Sequence, residues 1–386
     1  MQTDKRIYAD HSATTPLSPR ALEAMMPYLT EEFGNPSSVH VLGRRARRAV
    51  DSAREKVASA LGAKPSEIYF TACGTESDNW ALRAAMRIQA ARGRNLLVTD
   101  RVEHHAILRT AEEIGRRGYR TLFVGADRLG RVSAESVEAG IDGKTALVSV
   151  MAANNEVGTR MPIEKIARAA HKAGALFHTD AVQAVGHVPI DVKALGVDML
   201  SFSSHKFGGP KGIGGLYVRS GLPMPPGLLG GGQEHGLRSG TENVAGIVGT
   251  AAALEEACSQ MEENAEKTAA MRDRLIKGVL KTVPGSHLTG DPDNRLPGTA
   301  SFLFEGVEGE PLVLLLDQRG VCASSGSACS AGALEPSHVL LAMGIPEKLA
   351  RGSLRLSLGP DNTPDEIDTI LRILPEVVSL LRNAEQ

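Results

Sequence analysis

The chain has 386 residues, a length that predicts two or three domains at about 150 residues each. Its 43 lysine and arginine residues nearly balance its 45 aspartate and glutamate residues, and the formal net charge of −2 argues against a protein that binds nucleic acid or an anionic membrane. Hydrophobic residues make up 42% and charged residues 23%, which is typical of a globular protein and argues against global disorder.

Four cysteines are present, without a CxxC pair: Cys73, Cys258, Cys322 and Cys329. The first ten residues contain no apolar signal segment, so we expect neither a secreted disulfide scaffold nor a cysteine zinc site, and no metal. No run of about 20 apolar residues appears, so we expect no membrane span. These features predict a cytoplasmic protein in a reducing compartment.

Short apolar segments rich in β-branched residues alternate with helical patterns over the first 220 residues. The predicted strands are residues 67–71, 95–99, 121–124, 146–151, 176–178, 199–203 and 215–218. The main helices between them are predicted at residues 76–92, 104–115 and 162–173. This alternation predicts an α/β fold with a mainly parallel sheet and helices on both faces, in which ligands bind beyond the carboxyl ends of the strands.

The pattern changes after residue 220. A loop rich in glycine and proline precedes a long helical segment at residues 243–283, and an amphipathic helix at 364–382 ends the chain. A smaller second domain is therefore predicted from about residue 256 onward.

One basic cluster has two interpretations: Arg44, Arg45, Arg47 and Arg48. The four arginines could contact nucleic acid, or they could form the solvated face of a helix that continues through acidic positions. The net acidity of the chain favours the solvated face.

Three segments at predicted strand ends carry residues suited to chemistry: TACGTESDN (71–79), HTDAVQAVG (178–186) and SFSSHKFGGPKGIGG (201–215). Lys206 follows an apolar strand, where its amine is either paired with a carboxylate or is a nucleophile that attacks an aldehyde. Asp180 lies one strand–helix–strand step earlier and is the type of partner that a pyridinium nitrogen takes. Both side chains can therefore reach the same edge of the sheet.

The loop at residues 71–79 offers a candidate phosphate site. Gly74, Thr75 and Ser77 stand at the turn from a strand into a helix, and the unpaired N–H groups of a helix N-terminus suit a phosphate. Serine and threonine are also ordinary helix caps, so this loop alone leaves both interpretations open. Neither a P-loop nor a dinucleotide-binding glycine motif is present.

Taken together and in order, these segments resemble the cysteine desulfurases, which are fold-type I pyridoxal-phosphate enzymes of the class V aminotransferase group. The resemblance covers almost the whole chain. It is carried by ADHSATTP, FGNPSSVH, FTACGTESDN, EHHAIL, NNEVGT, HTDAVQAVG, SFSSHKFGGPKGIG, GLRSGTEN, SSGSACSAG and RLSLG. It implies a large domain at residues 15–255 that binds the cofactor, and a small domain at residues 1–14 and 256–386 that carries the cysteine loop.

The resemblance implies cofactor roles for the matching positions. Lys206 would bond covalently to the cofactor aldehyde, His104 would stack on the ring and move protons, and Asp180 would keep the ring nitrogen protonated. In a homodimer, Thr241 would reach the phosphate held by the partner subunit. The remaining implied cofactor contacts are Asn155, Gln183 at the ring hydroxyl, and Gly74, Thr75, Ser203 and His205 at the phosphate.

The resemblance also implies how substrate is held and converted. Asn155 and Arg355 would orient L-cysteine, and Arg355 would pair with its carboxylate. Cys329 would take the sulfur as a persulfide and pass it to an acceptor, such as an iron–sulfur cluster scaffold or a tRNA thiolation protein, while L-alanine leaves. The other three cysteines are interpreted as structural.

Other interpretations stay open at this point. A selenocysteine lyase or another class V lyase or aminotransferase would share Lys206, Asp180 and His104, and a binding protein could keep the fold without turnover. Taken singly, His104 could only begin a helix, Arg355 could form a salt bridge at a sheet edge, and Cys329 could be a small buried side chain.

Three features compare the chain with the members of the family that it resembles: one is a similarity and two are departures. The SSGSAC segment resembles the members with the longer cysteine loop. Cys73 and Gly74 stand where many relatives carry Gly-Ala or a similar pair of small residues. The chain ends soon after its last predicted helix, which predicts that it lacks the C-terminal tail by which some members dock a scaffold protein.

Overall fold

The computed structural model describes residues 6–326 and 336–384. Its strands are β1 Ile7–Tyr8, β2 Ile68–Thr71, β3 Leu96–Asp100, β4 Arg120–Val124, β5 Thr145–Ser149, β6 Leu176–Asp180, β7 Met199–Ser203, β8 Gly214–Val218, β9 Ser286–Leu288, β10 Thr299–Phe304, β11 Val321–Cys322 and β12 Ser353–Ser357. Its α-helices are α1 Pro19–Thr30, α2 Val41–Ala60, α3 Gly74–Ala90, α4 His105–Arg116, α5 Ala134–Gly140, α6 Ile163–Lys172, α7 Val192–Leu195, α8 Val244–Ser259, α9 Met261–Thr282, α10 Gly309–Gln318, α11 His338–Ala342, α12 Glu347–Ala350 and α13 Pro364–Ala384.

A seven-stranded sheet forms the centre of the molecule, in the order β2-β8-β7-β6-β5-β3-β4. All neighbouring strands run parallel except at β8, which is antiparallel to both β2 and β7. This arrangement confirms the predicted mainly parallel sheet. Each of the seven predicted strands overlaps an observed one, with ends that differ by no more than two residues.

Helices cover both faces of this sheet. Successive apolar residues of one strand point to opposite faces, so Val148 packs in one apolar cluster and Leu147 in another. Leu147 lies against α3 and α4, whereas Val148 faces the cluster that includes α2, α6 and α8. Strands buried on both faces read as continuous apolar runs, which is why they were recognisable in the sequence.

The predicted helix at residues 243–283 is two helices. Gln260 ends α8 and precedes α9, with backbone angles (φ −106°, ψ 6°) outside the regular helix. The two helices serve different clusters: Leu254 of α8 packs in the core of the central sheet, whereas Leu275 of α9 packs in a second core. A single straight helix could not pack its apolar residues into both cores, so the chain bends between α8 and α9.

The second core is built around the antiparallel sheet β12-β10-β9. Phe302 and Leu354 of this sheet pack against α9, α10 and α13. Strand β1 pairs in parallel with β11, which brings the start of the chain to this later part. The domain division at residues 15–255 stays a prediction.

The basic cluster lies on α2. Arg45 pairs with Glu32 at 3.0 Å and Arg47 pairs with Glu242 at 2.9 Å, so two of the four arginines are ion-pair partners. Over the described residues, no helix combines the length and the apolar character needed to cross a bilayer.

Candidate active site

A cavity of about 420 Å³ opens beyond the carboxyl ends of the central parallel strands. Ten of the twelve predicted site residues line it: Gly74, Thr75, His104, Asn155, Asp180, Gln183, Ser203, His205, Lys206 and Arg355. Thr241 instead lines a separate cavity of about 70 Å³. Cys329 lies outside the described residues. The structure thus brings the predicted residues together, and their individual roles stay predictions.

Lys206 enters this cavity from a 3-10 turn, Ser204–Lys206, that follows β7 directly. Its Nζ donates hydrogen bonds to the carbonyl oxygens of Ser12 at 2.6 Å and Ala13 at 2.8 Å. The sequence offered no signal for these two acceptors, because they are backbone atoms almost two hundred residues away. They hold the amine at the carboxyl edge of the sheet.

Residues 12–15, which we call the N-terminal strap, also hold the turn that carries the lysine. Thr15 donates from both its backbone N–H and its hydroxyl to the His205 carbonyl, each at 2.9 Å. Thr14 Oγ1 lies 3.1 Å from Nδ1 of His205, and Gln183 Nε2 donates to the Ser12 carbonyl at 3.0 Å. The strap therefore links three of the predicted site residues through backbone contacts.

Asp180 ends β6 and is 5% exposed. Burial raises the pKa of Asp180 to about 6, while the Val182 backbone N–H and the charge of Lys206 oppose that rise. A cation placed beside this carboxyl would favour its ionised form further. The carboxyl therefore suits a partner that carries a positive charge, such as a protonated ring nitrogen.

Three further carboxyl groups are buried near Asp180, and the sequence did not reveal them as a cluster: Asp78, Asp100 and Glu103. Burial raises the pKa of each, to about 7 for Asp100, and the charge of Asp180 raises those of Asp78 and Glu103 further. Glu103 Oε1 accepts a hydrogen bond from the Met151 backbone N–H at 2.5 Å. These buried carboxyl groups beside the cavity can therefore be either protonated or ionised.

His104 caps the N-terminus of α4, where its Nδ1 accepts a hydrogen bond from the Ala106 backbone N–H at 3.1 Å. Burial, together with the charges of Lys206 and His105, lowers the pKa of His104 to about 4. The ring is therefore neutral near pH 7, and because Nδ1 accepts, Nε2 carries the proton. His104 is both a helix cap and a neutral imidazole at the cavity.

The start of α3 forms a polar cradle at the other end of the cavity. Cys73 precedes the helix and makes no side-chain capping bond, so the positive end of this 17-residue helix is open to a ligand. A Cβ at Gly74 would lie 2.6 Å from Cγ2 of Val182, so the position needs glycine. Ser203 and His205 line the same cavity, and together these groups fit a phosphate.

Arg355 reaches the cavity from β12 and is 3% exposed. Its Nη2 donates to Asp10 Oδ1 and its Nη1 donates to the Asn155 carbonyl, both at 2.9 Å. Its Nε has no hydrogen-bond partner among the described residues. The salt bridge that the sequence left open is thus present.

Comparison with known proteins decides the family. The class V aminotransferase family matches residues 7–370. The chain belongs to this family. It is 48% identical over 380 residues to a cysteine desulfurase IscS of Methanosarcina thermophila, covering 98% of this chain and 94% of that protein. It is 47% identical over 376 residues to a cysteine desulfurase of Trichormus azollae, covering 97% of this chain and 94% of the relative.

Solved structures agree with this assignment. A structure described as a NifS-like protein superposes with a TM-score of 0.91 at 41% identity, covering 97% of this chain and 100% of the other. Another, described as SspA in complex with cysteine, gives a TM-score of 0.82 at 36% identity, covering 92% and 100%. The resemblance to cysteine desulfurases and the fold-type I architecture predicted from the motifs are therefore confirmed.

Members of this family use pyridoxal phosphate. The cavity provides a donor set that fits this group: a lysine amine, a buried carboxyl beside it, a neutral imidazole and an open helix N-terminus. The residues that would hold it are Lys206, Asp180, His104 and the Gly74–Thr75 turn.

Proposed function

We propose that this chain is a pyridoxal-phosphate-dependent cysteine desulfurase that converts L-cysteine to L-alanine and takes the sulfur onto one of its own cysteines as a persulfide. The observation that carries the proposal is the convergence of Lys206, Asp180, His104 and Arg355 on one cavity in a chain 48% identical to a protein named a cysteine desulfurase. A solved relative described as a complex with cysteine supports the substrate class.

Each side chain has a task in this reaction. The bound cofactor supplies an electron sink for the bond that breaks at the substrate α-carbon. Lys206 takes the α-proton, and Asp180 keeps a positive ring nitrogen in place. Arg355 orients the substrate by its carboxylate. His104, neutral with its proton on Nε2, donates or accepts a proton beside the substrate sulfur.

We assign the sulfur-accepting role to Cys329. Its thiolate attacks the substrate sulfur, an S–S bond forms, and the C–S bond of the substrate breaks. The electron pair of the broken bond stays with the substrate carbon, which takes up a proton so that L-alanine leaves. Gly326 and Pro336, the described residues on either side of residues 327–335, both line the cavity, which supports this assignment. A sulfur-acceptor protein, such as an iron–sulfur scaffold, then receives the sulfur from the persulfide.

A homodimer completes the proposal. Phe33, Val39 and Leu229 are exposed apolar side chains, at 71%, 87% and 82%. Arg47 donates to the Pro36 carbonyl, which lies between Phe33 and Val39 in the chain, and it also pairs with Glu242, next to Thr241. Exposed apolar side chains in a segment that Arg47 joins to Glu242 support a partner subunit near Thr241, whose phosphate Thr241 would contact.

The reaction is tested with two variants and one product assay. Lys206→Ala is expected to lose the visible absorbance of the bound cofactor and all turnover. Cys329→Ser is expected to keep the absorbance and to bind L-cysteine, but to release no sulfide when a reductant is added. Full alanine formation by Cys329→Ser would contradict the persulfide step, and pyruvate in place of alanine would favour a β-eliminating lyase.

A further inference from the structure

Glu156 is a buried carboxyl group of the cavity to which the motifs and the family resemblance give no role. It follows Asn155, is 5% exposed, and lines the same cavity as Arg355. Its backbone N–H donates to Asn154 Oδ1 at 2.9 Å, and its Oε2 accepts a hydrogen bond from Ser337 Oγ. The carboxyl is therefore buried and held by the Ser337 hydroxyl.

The guanidinium of Arg355 lines the same cavity, and its charge lowers the pKa of the Glu156 carboxyl against the larger, opposing effect of burial. Its Nη1 donates to the carbonyl of Asn155, the residue next to Glu156, and the charge of Arg355 acts on Glu156. Asp10 occupies Nη2, and Nε has no hydrogen-bond partner among the residues described. A ligand carboxylate that pairs with Arg355 in the cavity would therefore share the guanidinium charge with two protein carboxyls.

We propose that Glu156 is a positioning residue that sets the affinity of Arg355 for the carboxylate of an amino-acid ligand, and that this affinity rises when Glu156 is protonated. An ionised Glu156 offsets the positive charge of the guanidinium and repels the incoming carboxylate. A protonated Glu156 leaves the full charge of Arg355 to the ligand. The identity of the ligand as L-cysteine rests on the proposed function, whereas the binding effect does not.

Glu156 titrates in the range where this effect is measurable. Burial raises the pKa of Glu156 to about 7, against the opposing influence of the Ser337 hydrogen bond and the charge of Arg355. A bound carboxylate is a like charge and raises this pKa further, so binding takes up a proton. The affinity for a carboxylate ligand must therefore fall as the pH rises through about 7.

Other ionisable groups face the same site. Asp10 contacts Arg355 directly, and burial raises the pKa of Tyr8 above 10, so this phenol keeps its proton. His104 has a pKa of about 4 and stays neutral above pH 6, whereas the Asp180 carboxyl faces Lys206. A substitution at Glu156 removes only the titration of Glu156, so comparison with the wild type distinguishes that titration from those of the other groups.

The test titrates the holoenzyme with L-alanine and with L-alaninamide between pH 6 and 8.5, using the absorbance of the bound cofactor. Both ligands carry the amine, so the ratio of their Kd values isolates the carboxylate once each Kd is corrected for the fraction of ligand whose amine is unprotonated at that pH. For the wild type, we expect this ratio to shift about tenfold against L-alanine as the pH rises. Glu156→Gln should hold the ratio near its low-pH value. Ser337→Ala should move the midpoint to higher pH, because it removes a hydrogen bond that stabilises the ionised carboxyl.

A ratio that does not change with pH in the wild type would overturn the proposal, as would an unchanged pH dependence in Glu156→Gln. If Glu156→Gln does not fold, Ser337→Ala decides, and an unmoved midpoint overturns the proposal. A protein that shows the expected binding but forms no alanine from L-cysteine would contradict the proposed function and leave this inference standing.

Discussion

A buried ion pair fixes the segment that precedes Thr241. Arg54 of α2 donates to both carboxylate oxygens of Glu234, at 2.8 and 2.6 Å, and the two side chains are 7% and 3% exposed. Arg54 also donates to the Ile68 carbonyl at 2.6 Å and lies 4.9 Å over the ring of Phe70, whose backbone N–H donates to Glu234 at 2.9 Å. This one pair therefore joins α2, the edge strand β2 and the loop before α8.

We predict that Glu234→Gln lowers the free energy of unfolding by about 3–5 kcal/mol, because it leaves the Arg54 cation buried without its counter-charge. Glu164→Gln is the matched control: it breaks an exposed pair with Arg168, whose side chains are 60% and 73% exposed. Exposed pairs of this type contribute about 0.5 kcal/mol or less. The difference between the two substitutions therefore measures the effect of burial.

Urea unfolding of the holoenzyme at one fixed protein concentration provides the measurement, since ligand binding and association both shift apparent stability. The double variant Arg54→Leu with Glu234→Leu should lose less stability than Glu234→Gln, because it leaves no unpaired charge. A loss below about 1 kcal/mol for Glu234→Gln would refute the reasoning. A double variant less stable than the single one would show that packing, not charge, decides the outcome.

Three further predictions concern the cavity. Gly74→Ala should weaken cofactor retention about tenfold, measured by absorbance after dialysis, because its Cβ would lie 2.6 Å from Val182; adding Val182→Ala should restore retention. Asp180→Asn should keep the cofactor but lower the rate of alanine formation at least about a hundredfold, because the ring nitrogen loses its charged partner. Burial lowers the pKa of His178 from 6.5 to about 3, so the unfolded chain takes up a proton below pH 6.5 that the folded chain does not. Between pH 6.5 and 5, the wild type should therefore lose about 1.6 kcal/mol more than His178→Asn in urea unfolding; an equal loss in both would contradict the assignment.

The strands and the edge that binds ligands were predictable because both depend on local sequence. A strand buried on two faces is a continuous apolar run, and polar residues such as Asp180 and Lys206 follow directly where such runs end. Helix α8 was also visible as a long segment without breakers. Its separation from α9 at Gln260 was not, because the bend is set by two cores that lie far apart in the chain.

Contacts between residues far apart in the chain could not be predicted from the sequence. The motif ADHSATTP contributed to the family resemblance. Its contact with Lys206, however, is made by the backbone carbonyls of Ser12 and Ala13, which any residue type would offer. The pairing of Asp10 with Arg355 likewise depends on β1 joining β11. Glu156 could have been noticed only as the one charged residue of the motif NNEVGT, a signal that does not reveal its burial.

The buried carboxyls give the cavity a charge that adjusts to its ligand. Asp78 and Asp180 repel each other, and burial raises the pKa of both, so one proton between them stabilises the pair without a cofactor. A positive ring nitrogen beside Asp180 would draw the charge to that carboxyl and leave the proton on Asp78, whose Oδ1 has no hydrogen-bond partner among the described residues. Asp78 is thus expected to matter through the protonation of its neighbour, although it makes no contact that the sequence motifs predict.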